Sequence, residues 1–162
     1  MTMSVFDDFE TILDYAHFWN WAPDWNVAKE IYSHIPEAYS VLTPFAYSYL
    51  EELIRSTTSE YGIPFLDRNG EKYHFKVGMG LIKLAKEENT DKPEYIALLD
   101  KMKKYFMYEY EHPADENGRN KVVHGHLHPR FWGKEEFEQL IHYQVIGFSK
   151  HTTRYRLSHD SK

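Results

Sequence analysis

Between Pro36 and Tyr61, apolar residues return every three or four positions: Ala38, Val41, Leu42, Phe45, Tyr49, Leu50, Leu53 and Ile54. That spacing matches the 3.6-residue turn of an α-helix and lays one continuous stripe along one side. A stripe of this length has to be covered by other apolar faces, so the segment predicts a helix around which the rest packs. Pro44 falls inside it. Either the proline kinks one long helix, or Thr43 caps a new helix with Pro44 at its first position. Glu51 and Arg55, four residues apart, can pair along an outer face. Gly62 and Pro64 predict the end of the segment.

The same period recurs on both sides. Met1 to Ile35 reads as helix in two pieces, the first striped by Phe6, Phe9, Leu13 and Ala16. The run Trp19-Asn20-Trp21-Ala22-Pro23-Asp24-Trp25 breaks it, with Asp24 as the expected cap of a short helix through Tyr32. Three tryptophans so close together could stack a ligand, but large rings of this kind more often plug a corner of the core. Val77 to Glu88 carries Met79, Leu81, Ile82 and Ala85. A helix from Pro93 to about Tyr110 carries Tyr95, Leu98, Leu99, Met102, Tyr105 and Phe106. A last helix beyond Gly133 carries Phe137, Leu140, Ile141, Val145 and Phe148. Only Ile63 to Lys76 resists a helical reading. Asp67-Arg68-Asn69-Gly70 is a turn signal there, which predicts a short hairpin or ordered loop between helices. Gly78-Met79-Gly80 lacks the preceding strand and the glycine spacing of a phosphate loop, and reads as the start of a helix.

Five or six helices joined by connectors of a few residues predict an all-α fold, an antiparallel helix bundle with the 63–76 insertion as decoration. The 162 residues form one domain, with 1–34 as an N-terminal helical extension and 152–162 as a polar tail expected to fray. A hydrophobic content of 42% and aromatic content of 17% exclude an intrinsically disordered chain. The absence of cysteine excludes disulfides, thiolate metal sites and cysteine nucleophiles, and suits a reducing, cytoplasmic setting. The acid-rich start from Met1 to Trp19 lacks the basic head of a secretory signal, and no run approaches the roughly 18 apolar residues of a membrane span. A formal charge of −6 counts against coating nucleic acid through bulk phosphate contacts. The stretch from Arg119 to Arg130 and the tail from Lys150 to Arg156 are nonetheless locally basic.

The chemistry-bearing stretch is Asn117-Gly118-Arg119-Asn120-Lys121-Val122-Val123-His124-Gly125. Asp115 or Asn117 can cap a helix whose first turn carries Arg119 and Asn120, and free N–H groups beside a guanidinium favour a bound phosphate. Histidine is the side chain best suited to moving a proton near neutral pH. Asn120 and His124, four apart, share a helical face. Arg119 and His124 are set roughly 140° apart around the axis at about 100° per residue. A two-fold pair of such segments would bring two arginines and two histidines around one cleft.

Arg119-Asn120-x-x-x-His124, opening a late helix of an all-helical domain and followed by Gly125, resembles the R-x4-6-H signature of the HEPN superfamily. The helix from Pro36, with Tyr39, Leu42, Leu50, Glu51, Leu53 and Ile54, is similar to the core helix of such domains, and the likeness spans Ile35 to Phe148. The resemblance implies a helical bundle that dimerises. It also implies a metal-independent endoribonuclease of the kind found in toxin–antitoxin, phage-defence and RNA-processing systems. His124 would act as general base on a ribose 2′-hydroxyl or as general acid on the leaving 5′-oxygen. Arg119 would hold the scissile phosphate and Asn120 would steady the histidine or a phosphate oxygen. Lys121, His126 and Arg130 are the expected substrate contacts. That chemistry requires no cofactor. The implied partners are a second copy, RNA, and a protein antitoxin or regulator.

Two other readings stand beside it. His124, His126 and His128 alternate, which on a strand would align three imidazoles for a metal, whereas on a helix only His124 and His128 align. The same fold could also serve as a catalytically inactive dimerisation or nucleotide- or RNA-binding module. Tyr105-Phe106-Met107-Tyr108-Glu109-Tyr110 could offer stacking rings to unpaired bases, though the helical period assigns Tyr105 and Phe106 to the core.

Overall fold

The structure, a computed structural model, describes residues 4–16, 20–106, 128 and 133–151, with side chains described through Gly147. Among these residues six α-helices follow in order: α1 (Val5–Ala16), α2 (Ala22–His34), α3 (Tyr39–Arg55), α4 (Gly78–Glu88), α5 (Pro93–Met102) and α6 (Lys134–His151). Short 3-10 turns at Pro36–Ala38 and Lys103–Tyr105 precede α3 and follow α5. The expected all-α bundle is the observed architecture.

Helix α6 is the hub, packing against α1, α3 and α5, while α2 lies on α1 and α4 on α3 and α5. Its stripe explains this: Phe137, Leu140, Ile141 and Val145 are all buried. They meet Phe9 and Ile12 of α1, Ala46 and Leu50 of α3, and Leu98, Leu99 and Met102 of α5 in one core. Helices α1 and α2 are antiparallel. Phe6 and Phe9 at the start of α1 meet Tyr32 near the end of α2, and the Ala16 carbonyl accepts the Trp21 N–H at the corner. Asn20 turns that corner with φ of +60°, a conformation asparagine tolerates better than most residues.

Of the tryptophan run, Trp25 plugs this corner and Trp21 packs half-buried beside it. Trp25 is fully enclosed, its ring 4.8 Å from Phe45, 5.0 Å from Tyr49 and 5.8 Å from Phe9 between centroids. Trp21 adds a ring 5.0 Å from Tyr49. Trp19 lies outside the described residues. Enclosed rings with aromatic neighbours contribute cohesion and offer no open face to a ligand.

The long central segment is a 3-10 turn running into α3, with Pro44 inside the helix. Thr43 is not a cap. Its hydroxyl donates to the Tyr39 carbonyl at 2.7 Å, a bond back along the same helix. Other local expectations also changed. Val41, expected on the buried stripe, is 70% exposed, and Ala46 and Tyr47 take the buried positions instead. The physical reason is the helical step itself: with Leu42, Tyr49, Leu50 and Ile54 turned to the core, Val41 falls outside that face and Ala46 and Tyr47 fall within it. Asp24 sits in the first turn of α2 without capping it. The helix starts at Ala22, with Pro23 pre-set for the first turn, so the acid complements the dipole rather than an N–H. Arg55 turns to Glu60 instead of Glu51, and α3 ends at Arg55, with turns carrying the chain on to Tyr61. Helix α5 stops at Met102, short of the expected Tyr110. Tyr105 and Phe106 are buried after it as predicted, and Tyr108 and Tyr110 lie outside the described residues.

The 63–76 insertion is a hairpin-like loop with one antiparallel bridge, Leu66 to Lys72, flanked by a Tyr73 N–H to Phe65 carbonyl bond at 2.9 Å. Asp67 organises its turn by accepting the N–H groups of Asn69 and Glu71, both at 2.8 Å, and Gly70 takes φ of +79°. Glu60 then ties the loop to the bundle. This buried carboxylate accepts Arg55 Nη1 at 2.8 Å and the Lys76 N–H at 3.0 Å. Close by, Glu51 accepts the Gly78 N–H at 3.0 Å. A side-chain anion from α3 thus occupies the start of α4, which accounts for Gly78-Met79-Gly80 without any phosphate.

Candidate functional site

Arg119, Asn120, Lys121, His124, His126 and Arg130 lie outside the described residues. Of the alternating histidines only His128 is described, and it is exposed. The described residues that flank this stretch are anchored on the first two turns of α6. On one side Phe106 is buried, the Tyr105 hydroxyl donates to Gln139 Oε1 at 3.0 Å, and Lys104 Nζ donates to the same oxygen at 3.2 Å. On the other side the Gly133 carbonyl accepts the Phe137 N–H at 3.2 Å, with Phe137 buried in the core. Lys104, Tyr105 and Gly133 therefore all meet the first two turns of α6.

The polar chemistry inside the described residues lies along α6, where Glu138 and His142, four residues apart, face α1 and α2. The Tyr32 hydroxyl donates to Glu138 Oε1 at 2.7 Å. Burial, reinforced by that carboxylate, holds the Tyr32 hydroxyl protonated far above the usual phenol range. His142 Nδ1 lies 3.2 Å from Asp8 Oδ2 and 3.3 Å from Oδ1. The Asp8 side chain is 4% exposed and that of His142 46%. Burial raises the Asp8 carboxyl above its ordinary value, and the bond and charge of His142 pull it partly back down.

An imidazole held at Nδ1 by a buried carboxylate has a fixed ring plane and tautomer. It becomes catalytic only where a nucleophile or a charge-stabilising group converges on the other nitrogen. No such third group converges on His142 among the described residues, and no three histidine, aspartate or glutamate side chains there gather as a metal site. The pair ties α1 to α6. Sequence reasoning missed it, although a signal was present. Asp8 stands four and eight residues before Ile12 and Ala16, on the same buried stripe, and an acid on an apolar stripe requires a partner.

Gln144 was missed for a related reason. It stands in register with Leu140, is fully buried, and donates Nε2 to the Ala46 carbonyl of α3 at 2.7 Å. Its Oε1 has no hydrogen-bond partner among the described residues. Glu51 is engaged at the start of α4.

Comparison with protein-family models, with curated proteins and with solved structures finds no match. Among the described residues no helix is long and apolar enough to cross a membrane.

Proposed function

We propose that the protein is a metal-independent endoribonuclease of the HEPN kind, working as a cytoplasmic homodimer. The observation that carries this reading is the ordered set Arg119, Asn120 and His124, followed by Gly125. It stands in a chain whose described residues form an α-helical bundle.

In this reading Arg119 pairs with the non-bridging oxygens of a scissile phosphodiester, where its planar fork suits two oxygens at once. His124 takes the proton of the neighbouring ribose 2′-hydroxyl. The freed 2′-oxygen forms a bond to phosphorus, the bond from phosphorus to the 5′-oxygen breaks, and that oxygen receives a proton. The products are a 2′,3′-cyclic phosphate and a 5′-hydroxyl, and the electron count balances without metal or oxidant. Asn120 steadies the imidazole or a phosphate oxygen, while Lys121, His126 and Arg130 hold flanking nucleotides. Two chains supply the two proton-transfer groups that one histidine cannot provide together. A ribonuclease of this kind is held in check by a protein antitoxin or regulator.

The test is cleavage of mixed RNA in excess chelator, with product ends assayed for cyclic phosphate. Wild type should cut. His124→Ala and Arg119→Ala should each lose about 100-fold or more while retaining the helical circular-dichroism signal. Intact RNA under all conditions, or cutting that requires added divalent metal, would overturn the reading.

A further inference from the structure

The first 60 residues hold ten aspartates and glutamates against two basic residues, Lys29 and Arg55, a formal balance of −8. Residues 61–162 hold 15 against 17, a balance of +2. The acidic part also carries an uncovered apolar stripe. Val27, Ile31 and Ile35 follow one another at four-residue intervals along α2 and its C-cap, and are 58%, 37% and 56% exposed. The Ile35 N–H donates to the Ile31 carbonyl at 2.8 Å, which seats Ile35 on the last turn of α2 where its backbone, at φ −135° and ψ 81°, leaves the helix. The stripe flanks the buried face of Trp25, Ala28 and Tyr32 and adds nothing to the core.

Acids bracket it. Asp24, exposed, stands three residues before Val27 on the same side of the helix, and Glu37, also exposed, stands two residues past Ile35. The one cation of α2, Lys29, points to the opposite flank, where it pairs with Glu10 of α1. His34 is turned back onto its own helix through the Glu30 carbonyl.

From this geometry we propose that the α2 stripe is a docking site for a cationic amphipathic helix of a partner protein. Such a segment would lay apolar residues spaced by three and four along Val27, Ile31 and Ile35, with lysines or arginines at its two ends against Asp24 and Glu37. Charge argues against nucleic acid, anionic lipid and two-fold self-pairing of the stripe. Nucleic acid and anionic lipid surfaces are repelled by this acidic face. A second copy docked by two-fold symmetry would set Asp24 of one chain against Glu37 of the other, like charge against like. The inference is independent of the ribonuclease chemistry.

The test uses the full chain and three labelled 14-residue peptides read by fluorescence anisotropy. One is an amphipathic Leu/Lys helix, one keeps the leucine pattern with Glu in place of Lys, and one scrambles the Leu/Lys composition. The Leu/Lys helix should bind saturably at one per chain, at least ten-fold tighter than either control. Val27→Ser with Ile31→Ser should weaken it at least ten-fold, with the circular-dichroism spectrum unchanged because both residues are exposed. Asp24→Asn with Glu37→Gln should weaken it and flatten its salt dependence. Val77→Ser, at an exposed apolar residue elsewhere, should leave binding unchanged. Equal binding of the scrambled peptide, or unchanged affinity in the Val27/Ile31 variant, would overturn the proposal. So would a fall in the molecular mass of the free protein on changing Val27 and Ile31, since a second copy would then cover the stripe.

Discussion

At the scale of single residues, the informative positions are polar groups set into apolar stripes. Asp8 is the clearest. Burial makes ionisation of its carboxyl costlier in the folded chain than in the unfolded one, so its folded pKa stands above the ordinary 3.8. The unfolded chain therefore releases this proton first as pH rises. Stability falls across the window from 3.8 to the raised folded value and is level beyond it. The bond and charge of His142 offset part of the cost. Asp8→Asn should flatten this slope, which denaturant unfolding at a series of acidic pH values will measure. A steeper slope in the variant would count against the assignment. Gln144 poses the same problem without a charge, with a donor satisfied by Ala46 and an acceptor without a partner among the described residues.

At the scale of elements, two carboxylates decide how α3 meets the 63–76 loop and α4. Glu60 holds the loop by accepting the Lys76 N–H and the Arg55 guanidinium, and Arg55 in turn lies 5.2 Å from the centre of the Phe75 ring. Removing one partner of a buried ion pair leaves the other desolvated. Glu60→Ala should therefore cost about 3 kcal/mol and strip the Lys76 amide of its protection from hydrogen exchange. Retained protection at that amide would show that the hairpin turn at Asp67–Gly70 holds the loop unaided. Glu51 performs the smaller task of accepting the Gly78 N–H at the start of α4. Side-chain capping of this sort stabilises by about 1 kcal/mol.

At the scale of the molecule, the arrangement follows from α6 being the last described helix and also the central one. It reaches α1, α3 and α5, so the chain must close on its own C-terminal part before the core is complete. Ile141 lies fully buried on it. Ile141→Ala should destabilise by about 2–5 kcal/mol and shift one cooperative transition seen alike by fluorescence and circular dichroism. Separate transitions for the α1–α2 pair and the remainder would show that the two parts do not share a core. The segregation of charge follows the same geometry. The acidic, stripe-bearing surface belongs to α2.

By itself, the sequence determined the helical class, the positions of most helices and most of the core. Periodicity and breaker residues are local signals, and helices are built from local hydrogen bonds. The Pro36 stripe, the α4 stripe and the burial of Tyr105 and Phe106 were legible for this reason. The sequence also displayed the Arg119, Asn120 and His124 set on which the proposed chemistry rests. Only the tertiary structure decided the pairings between residues far apart in the chain: Asp8 with His142, Tyr32 with Glu138, Gln144 with Ala46, and Glu51 with Gly78. It also decided which face of α3 turns inward, leaving Val41 outside and Ala46 and Tyr47 within. Such choices are made when helices close against one another, because the cost of burying a polar group falls only where a partner arrives from another element.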